Sequence, residues 1–143
     1  SKVSQISNQK FWGMVDFAFN RVERGRRKKY GADRSCAEWL LRNGATLKWK
    51  GINSWQLNYN ALPDPNTSNL DNYKIEIINV TDSGVTGFGF NHLEGLNHVK
   101  KVILHKSRVD DRGLLCLKLI KHTLEDLQVS QCPDVSASGL RCL

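Results

Sequence analysis

Three short stretches of the sequence repeat one another, and this repetition constrains the fold more than any other feature. Each has a valine, three further residues, a glycine and another aliphatic residue, at 80–85, 109–114 and 135–140. The glycines lie 29 and then 26 residues apart, and an apolar strand pattern precedes each stretch. A period of about 25 to 30 residues is typical of solenoids, whose single units must stack to bury their apolar faces. Because solenoids present surfaces, the repeats favour a binding protein over an enzyme.

The apolar residues of the last two units recur at a fixed spacing. A set of three in the second unit is followed 25 residues later by a set of three in the third, namely Val99, Val102 and Leu104, then Leu124, Leu127 and Val129. Cys132 falls where leucine-rich repeats place Asn or Cys, a position at which a small polar side chain satisfies backbone groups inside the turn. We therefore predict an α/β fold in which a helical N-terminal cap domain precedes a short leucine-rich-repeat solenoid of parallel strands with helices.

Changes in composition along the 143 residues predict the organisation of the chain. A stretch rich in Pro, Asn and Ser separates a helix-patterned first part from the repeats, and such a stretch is typical of a linker. The predicted parts are a flexible tail at 1–9, a helical N-terminal domain at 10–61, the linker at 62–72, and about three leucine-rich repeats at 73–143. The third repeat ends inside its helix, so we expect it to be truncated.

Local signals place several elements in the N-terminal domain. A second helix is predicted to start at Asp33 or Ser35, and Ser35 and Glu38 have the spacing of a capping box. Gly44 is placed to end that helix in a left-handed conformation. Residues 46–49 are expected to be extended, and residues 54–60 to form a short helix.

Positive charge is concentrated in the first half of the chain. The net charge is +7, and residues 1–72 hold 12 basic and 6 acidic groups against 9 and 8 in residues 73–143. A basic run follows an apolar stripe of helical spacing that starts at residue 11, a combination suited to an anionic membrane or an acidic partner. A solvated helix over a core would give the same pattern, and no aromatic-interleaved basic patch supports nucleic-acid binding. The candidate partner- or membrane-binding residues are Arg21, Arg24, Arg26, Arg27, Lys28 and Lys29.

The repeats also predict a second candidate surface. If the solenoid curves as usual, alternate strand residues face its concave side. This surface is mixed in polarity, with one exposed isoleucine, which suits a protein partner better than a catalytic cleft. Its predicted residues are Lys74, Glu76, Ile103, His105, Gln128 and Ser130.

Residues that could carry catalysis are sparse, so we expect no enzymatic activity. The phosphate-loop, zinc-protease and serine-hydrolase motifs are absent from the sequence. Asp110 and Asp111 are adjacent, and adjacent side chains point apart, so loop solvation or helix capping is favoured over a proton-sharing pair. The four cysteines include no Cys-x-x-Cys pair, which favours a reducing compartment.

Several ordered motifs resemble one family. They include Phe-Trp-Gly at 11–13, Glu-Trp-Leu-Leu-Arg at 38–42, Leu-Pro at 62–63 and Thr-Asp-Ser at 81–83. Together, over roughly residues 11–143, they resemble subunit s of mitochondrial ATP synthase, also called coupling factor B. The resemblance implies a protein of the mitochondrial matrix, peripheral to the inner membrane. It would support proton-coupled ATP synthesis without an active site, through contacts with a protein complex of that membrane and with the anionic membrane surface.

The same resemblance implies a divalent cation, taken as magnesium, at the junction of the two domains. The matching positions are Gly44 and Thr81, whose oxygens are ligands of the kind that hard cations prefer. A cysteine found just before this glycine in family members is Asn43 here, so thiol chemistry is not expected at that spot.

Two alternatives stay open at the level of sequence. A related assembly factor for the membrane arm of respiratory complex I shares the architecture. A substrate adaptor of a ubiquitin ligase would also join a helical module to cysteine-containing leucine-rich repeats. Its F-box opens with Leu-Pro before the helices, whereas Leu62 and Pro63 follow them here.

Overall fold

The computed structural model describes residues 21–143, except for the side chains of residues 21–23 and 88. The predicted tail at 1–9 and most of the apolar stripe that starts at residue 11 lie outside the described residues.

The helices and strands of the described part of the chain are short. In order they are α1 (Arg21–Tyr30), α2 (Ala32–Arg42), β1 (Thr46–Trp49), β2 (Ile75–Asn79), β3 (Lys101–His105), α3 (Asp111–Cys116), β4 (Asp126–Ser130) and α4 (Ala137–Arg141). Single 3₁₀ segments lie at Tyr59–Ala61, Leu70–Asn72, Gly87–Leu93 and Leu117–Ile120. The mixed α/β class predicted from the sequence is confirmed.

The strands form one four-stranded sheet in the order β1-β2-β3-β4. The strand β1 is antiparallel to β2, whereas β2, β3 and β4 run parallel. Between β3 and β4 the pairing follows the predicted repeat, since Lys101 lies opposite Asp126 and each later pair keeps that offset. Parallel neighbours need a crossover connection, and the segment with α3 supplies it between β3 and β4.

The core lies between one face of the sheet and the helical segments. Leu47, Ile78 and Leu104 are fully buried on three adjacent strands, and Leu40 and Phe90 reach them from α2 and from the 87–93 segment. Burial of a side chain of this size contributes about 1.5 to 3 kcal/mol, so this layer holds the sheet to the helices.

Trp39 of α2 fixes how the 87–93 segment packs. Its ring stacks on His92 at a centroid distance of 4.8 Å and meets Phe90 edge-on at 5.9 Å. Gly89 lies against the indole so closely that a Cβ there would be 2.7 Å from Trp39 Nε1. Only a glycine lets the backbone approach the ring in this way.

The start of α2 differs from the prediction. The helix begins at Ala32 after Gly31, which has a φ of 85° and no side-chain cap. Ser35 and Glu38 therefore lie inside the helix, and the predicted capping box is wrong. Glu38 instead pairs with Arg34 Nη1 at 3.1 Å and with Arg26, because these arginines offer a stronger partner than a helix N–H. The predicted end is confirmed, since Gly44 has a φ of 83°.

The segment at 54–60 also differs from the prediction of a short helix. Only Tyr59–Ala61 is helical, as a 3₁₀ turn. The Gln56 N–H donates to the Leu47 carbonyl at 2.7 Å, so this segment extends along β1 instead. The Gln56 side chain also accepts from Trp49 Nε1 at 3.1 Å.

The turns after β3 and β4 hold side chains that satisfy backbone groups. The Cys132 Sγ–H donates to the Leu104 carbonyl at 3.2 Å, so it satisfies a backbone group of the neighbouring strand β3. Asp110 accepts the Gly113 N–H at 3.1 Å at the start of α3, and Ser136 accepts the Gly139 N–H at 2.9 Å at the start of α4. Each helix is thus capped from the same place in its unit.

Candidate interaction surfaces

Two arginines of the basic run in α1 form contacts within the protein. Arg27 is mostly buried, with its guanidinium on the Glu94 backbone carbonyl and its Nη1 3.3 Å from Glu94 Oε2. Arg26 pairs with Glu38 of α2, whose side chain is only 9% exposed. These two arginines therefore attach α1 to the body of the protein rather than to an outside partner.

The remaining described cations of the run face solvent. Lys28 and Lys29 are exposed, as is Arg24, and Lys29 Nζ lies 5.2 Å from the Tyr30 ring centroid. The side chain of Arg21 is outside the described part of the chain. The outward surface of α1 is thus smaller than the six residues predicted from the sequence.

A buried carboxylate ties α2 to β2. Asp33 is 7% exposed, and its Oδ1 accepts the Ile75 N–H at 2.8 Å. Lys74 Nζ lies 3.8 Å from the other carboxylate oxygen. Burial raises the pKa of Asp33 above its ordinary value, and the Ile75 N–H and the charges of Lys74 and His98 oppose that rise. This hydrogen bond holds α2 against β2. The sequence did not predict it, because Asp33 and Ile75 are 42 residues apart.

Gly44 and Thr81 lie at the junction that the resemblance implied. The β1–β2 pairing ends with Thr46 opposite Asn79, and Gly44 and Thr81 each lie two residues beyond these strand ends. The Gly84 N–H donates to the Asn43 carbonyl at 2.8 Å, which holds the two segments together. The Thr81 hydroxyl lies 2.5 Å from Asn79 Oδ1, which also accepts the Thr81 N–H at 3.0 Å.

The two residues would offer a divalent cation little charge. Their donors are a backbone carbonyl and a hydroxyl, both neutral, next to the exposed Asp82. Among residues 21–143, no group of three or more His, Cys, Asp or Glu side chains could hold a metal ion. Water would therefore have to supply most of the coordination of a magnesium ion at this position.

One face of the sheet is open to solvent, and its residues are aligned by the strand register. One row runs Thr46, Asn79, Ile103, Gln128 across all four strands; the next runs Lys48, Ile77, Lys101, Asp126. We call these two rows, with the adjoining pair of His105 and Ser130, the open face.

Polar contacts lie around two isoleucines on the open face. His105 Nδ1 is 2.6 Å from Ser130 Oγ, and Lys101 Nζ is 3.6 Å from Asp126 Oδ2. Ile77 and Ile103 are half-buried at the middle of the sheet. An apolar centre with a polar rim is the usual anatomy of a protein interface.

The structure brings four of the six predicted concave residues together. Ile103 pairs with Gln128, and His105 pairs with Ser130. Lys74 precedes β2, and Glu76 is the extra residue where the β1–β2 register shifts. In the aligned rows, β2 instead contributes Ile77 and Asn79. Sequence periodicity could not predict this placement, because the bulge at Glu76 depends on the pairing with β1.

The carboxylates at 110 and 111 stabilise helix starts, as favoured from the sequence. Asp110 caps α3, whereas Asp111 accepts the Ser136 N–H at 2.9 Å and the Ser136 hydroxyl at 2.6 Å. Asp111 thereby links the start of α3 to the start of α4.

Two of the cysteine thiols are buried and carry raised pKa values. Burial is the main cause, and it raises the pKa of Cys116 to about 12 and that of Cys36 further. Both thiols therefore stay protonated at physiological pH, and a thiolate nucleophile is not available at either position.

No helix within residues 21–143 is long and apolar enough to cross a membrane.

Comparison with known proteins identifies relatives along nearly the whole chain. Mitochondrial ATP synthase subunit s of Pongo abelii and of Homo sapiens is each 39% identical over 137 residues, which cover 93% of this chain and 67% of the relative. The Bos taurus protein of the same name is 37% identical with the same coverage. No protein-family model matches the chain.

The fold and surfaces thus define a small mixed α/β protein with an open sheet face and a basic helix. The level of sequence identity, and the share of the chain that it covers, also identify the family. The chain belongs to the family of mitochondrial ATP synthase subunit s.

Proposed function

We propose that this protein is a non-catalytic mitochondrial subunit that supports proton-coupled ATP synthesis by binding ATP synthase. The observation that carries this proposal is the 39% identity, over 93% of the chain, to proteins named for that complex. The protein would act in the matrix, peripheral to the inner membrane, through contacts and without chemistry of its own.

The proposed architecture is a leucine-rich-repeat stack under an N-terminal cap. The constant offset of 25 residues between β3 and β4, with equivalent caps at Asp110 and Ser136, supports a repeating unit. The antiparallel β1 covers the free edge of β2, which is what a capping domain does for a parallel stack. On this account the described part of the predicted cap domain (10–61) forms the cap, 62–72 the linker and 73–143 about three repeats.

The open face is the proposed contact with the protein complex. Ile77 and Ile103 would form its apolar centre, and His105, Gln128 and Ser130 its polar rim. Truncation or charge at such a centre removes more binding energy than a change at the rim.

A pull-down with matched variants tests this contact. The immobilised chain should retain ATP synthase from gently solubilised mitochondria, and Ile103→Asp should reduce that retention by about tenfold or more. Ile52→Asp is the control, since Ile52 is 43% exposed and lies outside the open face. Equal retention by both variants and the unchanged chain would remove the open face from the proposal.

The outward surface of α1 is the proposed contact with anionic membrane. Lys28 and Lys29 are the exposed pair that can be changed without touching the arginines that attach α1. Each basic side chain near an anionic surface contributes about 1 kcal/mol.

Vesicle sedimentation tests that membrane contact. Lys28→Glu with Lys29→Glu should abolish salt-sensitive binding to phosphatidylcholine vesicles that contain cardiolipin. Lys118→Glu with Lys121→Glu makes the same change in net charge at exposed positions elsewhere. Binding that survives the first pair, or is lost equally with the second, would contradict a specific role for α1.

A weak magnesium site at Gly44 and Thr81 remains a proposal. The Gly44 carbonyl and the Thr81 hydroxyl would each give one oxygen, and the ion would hold the cap against the first repeat. Titration calorimetry with MgCl₂ should show a millimolar Kd that is lost in Thr81→Val, because two neutral ligands bind a hydrated ion weakly. The absence of any heat of binding would remove the site.

A further inference from the structure

A polar cleft lies at the opposite end of the strands from Gly44 and Thr81. It has a volume of about 320 Å³ and lies where β1 ends and β3 and β4 begin. Its lining is Lys50, Asn97, His98, Lys100, His122, Thr123, Leu124 and Glu125.

The backbone fixes the residues around this cleft. The Lys50 N–H donates to the Lys74 carbonyl at 2.7 Å, and the Lys100 N–H donates to the Glu76 carbonyl at 2.8 Å. The Glu125 N–H in turn donates to the Lys100 carbonyl at 2.8 Å. The side chains of the two lysines therefore start from positions that the sheet holds in place.

The two lysines of the cleft, Lys50 and Lys100, differ from Lys74 and Lys101 in their ion pairing. Lys74 and Lys101 lie 3.8 Å and 3.6 Å from the carboxylates of Asp33 and Asp126. Neither Lys50 nor Lys100 forms an ion pair within residues 21–143, and both are exposed. With Glu125 as the one carboxylate of the lining, the cleft has excess positive charge.

Two histidines also line the cleft. His122 Nε2 lies 3.1 Å from Asn97 Oδ1, so Asn97 orients its ring. His98 Nδ1 is buried and has no hydrogen-bond partner among the described residues. That nitrogen is inaccessible from the cleft, so His98 lines the cleft through the rest of its ring.

We propose that the cleft between Lys50, His98, Lys100 and His122 binds a phosphate group. The two lysine ammonium groups supply the charge and the hydrogen-bond donors, the His98 and His122 rings line the cleft, and lysine is a common phosphate-binding residue. The phosphate could belong to a soluble ligand or to a phospholipid head group, since the chemistry of recognition is the same. This inference goes beyond the association with ATP synthase and does not depend on it.

Proton NMR of the imidazole rings tests the site in the unaltered protein. Inorganic phosphate at about 10 mM should shift the His98 and His122 ring signals in a saturable way, because a site of millimolar Kd would then be mostly filled. His105, on the open face, should keep its signals unchanged and is the internal control. Vesicles of phosphatidylcholine with phosphatidic acid form the second arm of the test, read by sedimentation.

Two double variants separate a specific site from general positive charge. Lys50→Gln with Lys100→Gln should weaken binding by about tenfold or more, whereas Lys118→Gln with Lys121→Gln should change it by less than about twofold. Loss of the phosphate-induced shifts in the first variant supports a soluble ligand. Loss of vesicle binding alone, with no shift by inorganic phosphate, supports a lipid head group. The absence of both responses in the unaltered protein, or equal losses in the two variants, would overturn the proposal.

Discussion

The Asp33 carboxylate accepts a 2.8 Å hydrogen bond from the backbone N–H of Ile75, a residue that is itself fully buried. This bond joins the second helix to the strand that opens the parallel part of the sheet. Because this N–H is buried away from water, it would have no hydrogen-bond acceptor if the bond were lost.

Replacement of Asp33 separates the loss of the acceptor from the loss of the charge. Asp33→Ala should lower the free energy of unfolding by about 1 to 3 kcal/mol, since the Ile75 N–H is left without an acceptor. Asp33→Asn keeps an oxygen at the same place and should cost less. Urea unfolding measures both, with Asp64→Asn at an exposed position as the control. Equal losses in the alanine and asparagine variants would show that charge, not the hydrogen bond, matters.

The same carboxylate predicts a pH dependence with a definite sign. Burial raises the pKa of Asp33 in the folded state above 3.8. The folded protein therefore binds this proton more tightly than the unfolded chain does, and the stability that the group contributes falls as pH rises from 3.8 through the folded pKa. Unfolding free energies of the unaltered protein relative to Asp33→Asn should decline over that window. A relative rise with pH would contradict the raised pKa.

Two glycine substitutions should have opposite effects on stability. Gly89→Ala would place a Cβ against the Trp39 ring, so it should destabilise by about 1 to 3 kcal/mol through overpacking. Gly25→Ala lies in α1 with nothing within 4 Å of its Cβ, and it should stabilise by about 0.5 to 1 kcal/mol. Thermal unfolding distinguishes them, and a neutral Gly89→Ala would mean that the indole can move away.

Within the basic run, Arg27 and Lys28 should behave differently although they are adjacent. Arg27→Ala removes the contacts with Glu94 and should cost about 1 to 3 kcal/mol. Lys28→Ala changes an exposed position and should stay within about 0.5 kcal/mol. Chemical denaturation compares the two, and equal effects would show that α1 is not attached through Arg27.

Asp111 should control the stability of the last helix. Asp111→Ala removes the acceptor for the Ser136 N–H and hydroxyl, so hydrogen exchange in Ala137–Arg141 should accelerate while exchange in β2 is unchanged. Ser138→Ala, in the same helix, is the control. Uniform acceleration in both elements would indicate global destabilisation instead.

Local chemistry in the sequence predicted local structure well. The left-handed Gly44 and the extended stretch at 46–49 depend on neighbouring residues, and the structure has both of them. The 25-residue spacing likewise predicted which residues of β3 and β4 lie side by side.

Features that depend on distant partners were missed. Glu38 has the spacing of a capping residue, but Arg26 and Arg34 engage it instead. The bulge at Glu76 is set by β1, so strand periodicity alone assigned Lys74 and Glu76 to the aligned rows where Ile77 and Asn79 lie. Two of the six basic residues, Arg26 and Arg27, pair with Glu38 and Glu94, and nothing in the basic run itself reveals these partners.

The central claim is that this protein works with ATP synthase, and complexome profiling on native gels tests it most directly. In mildly solubilised mitochondria the protein should migrate with intact ATP synthase, and its signal should leave that position when the complex is depleted. Migration with partial complex I, or recovery with a ubiquitin ligase and not in mitochondria, would contradict the claim.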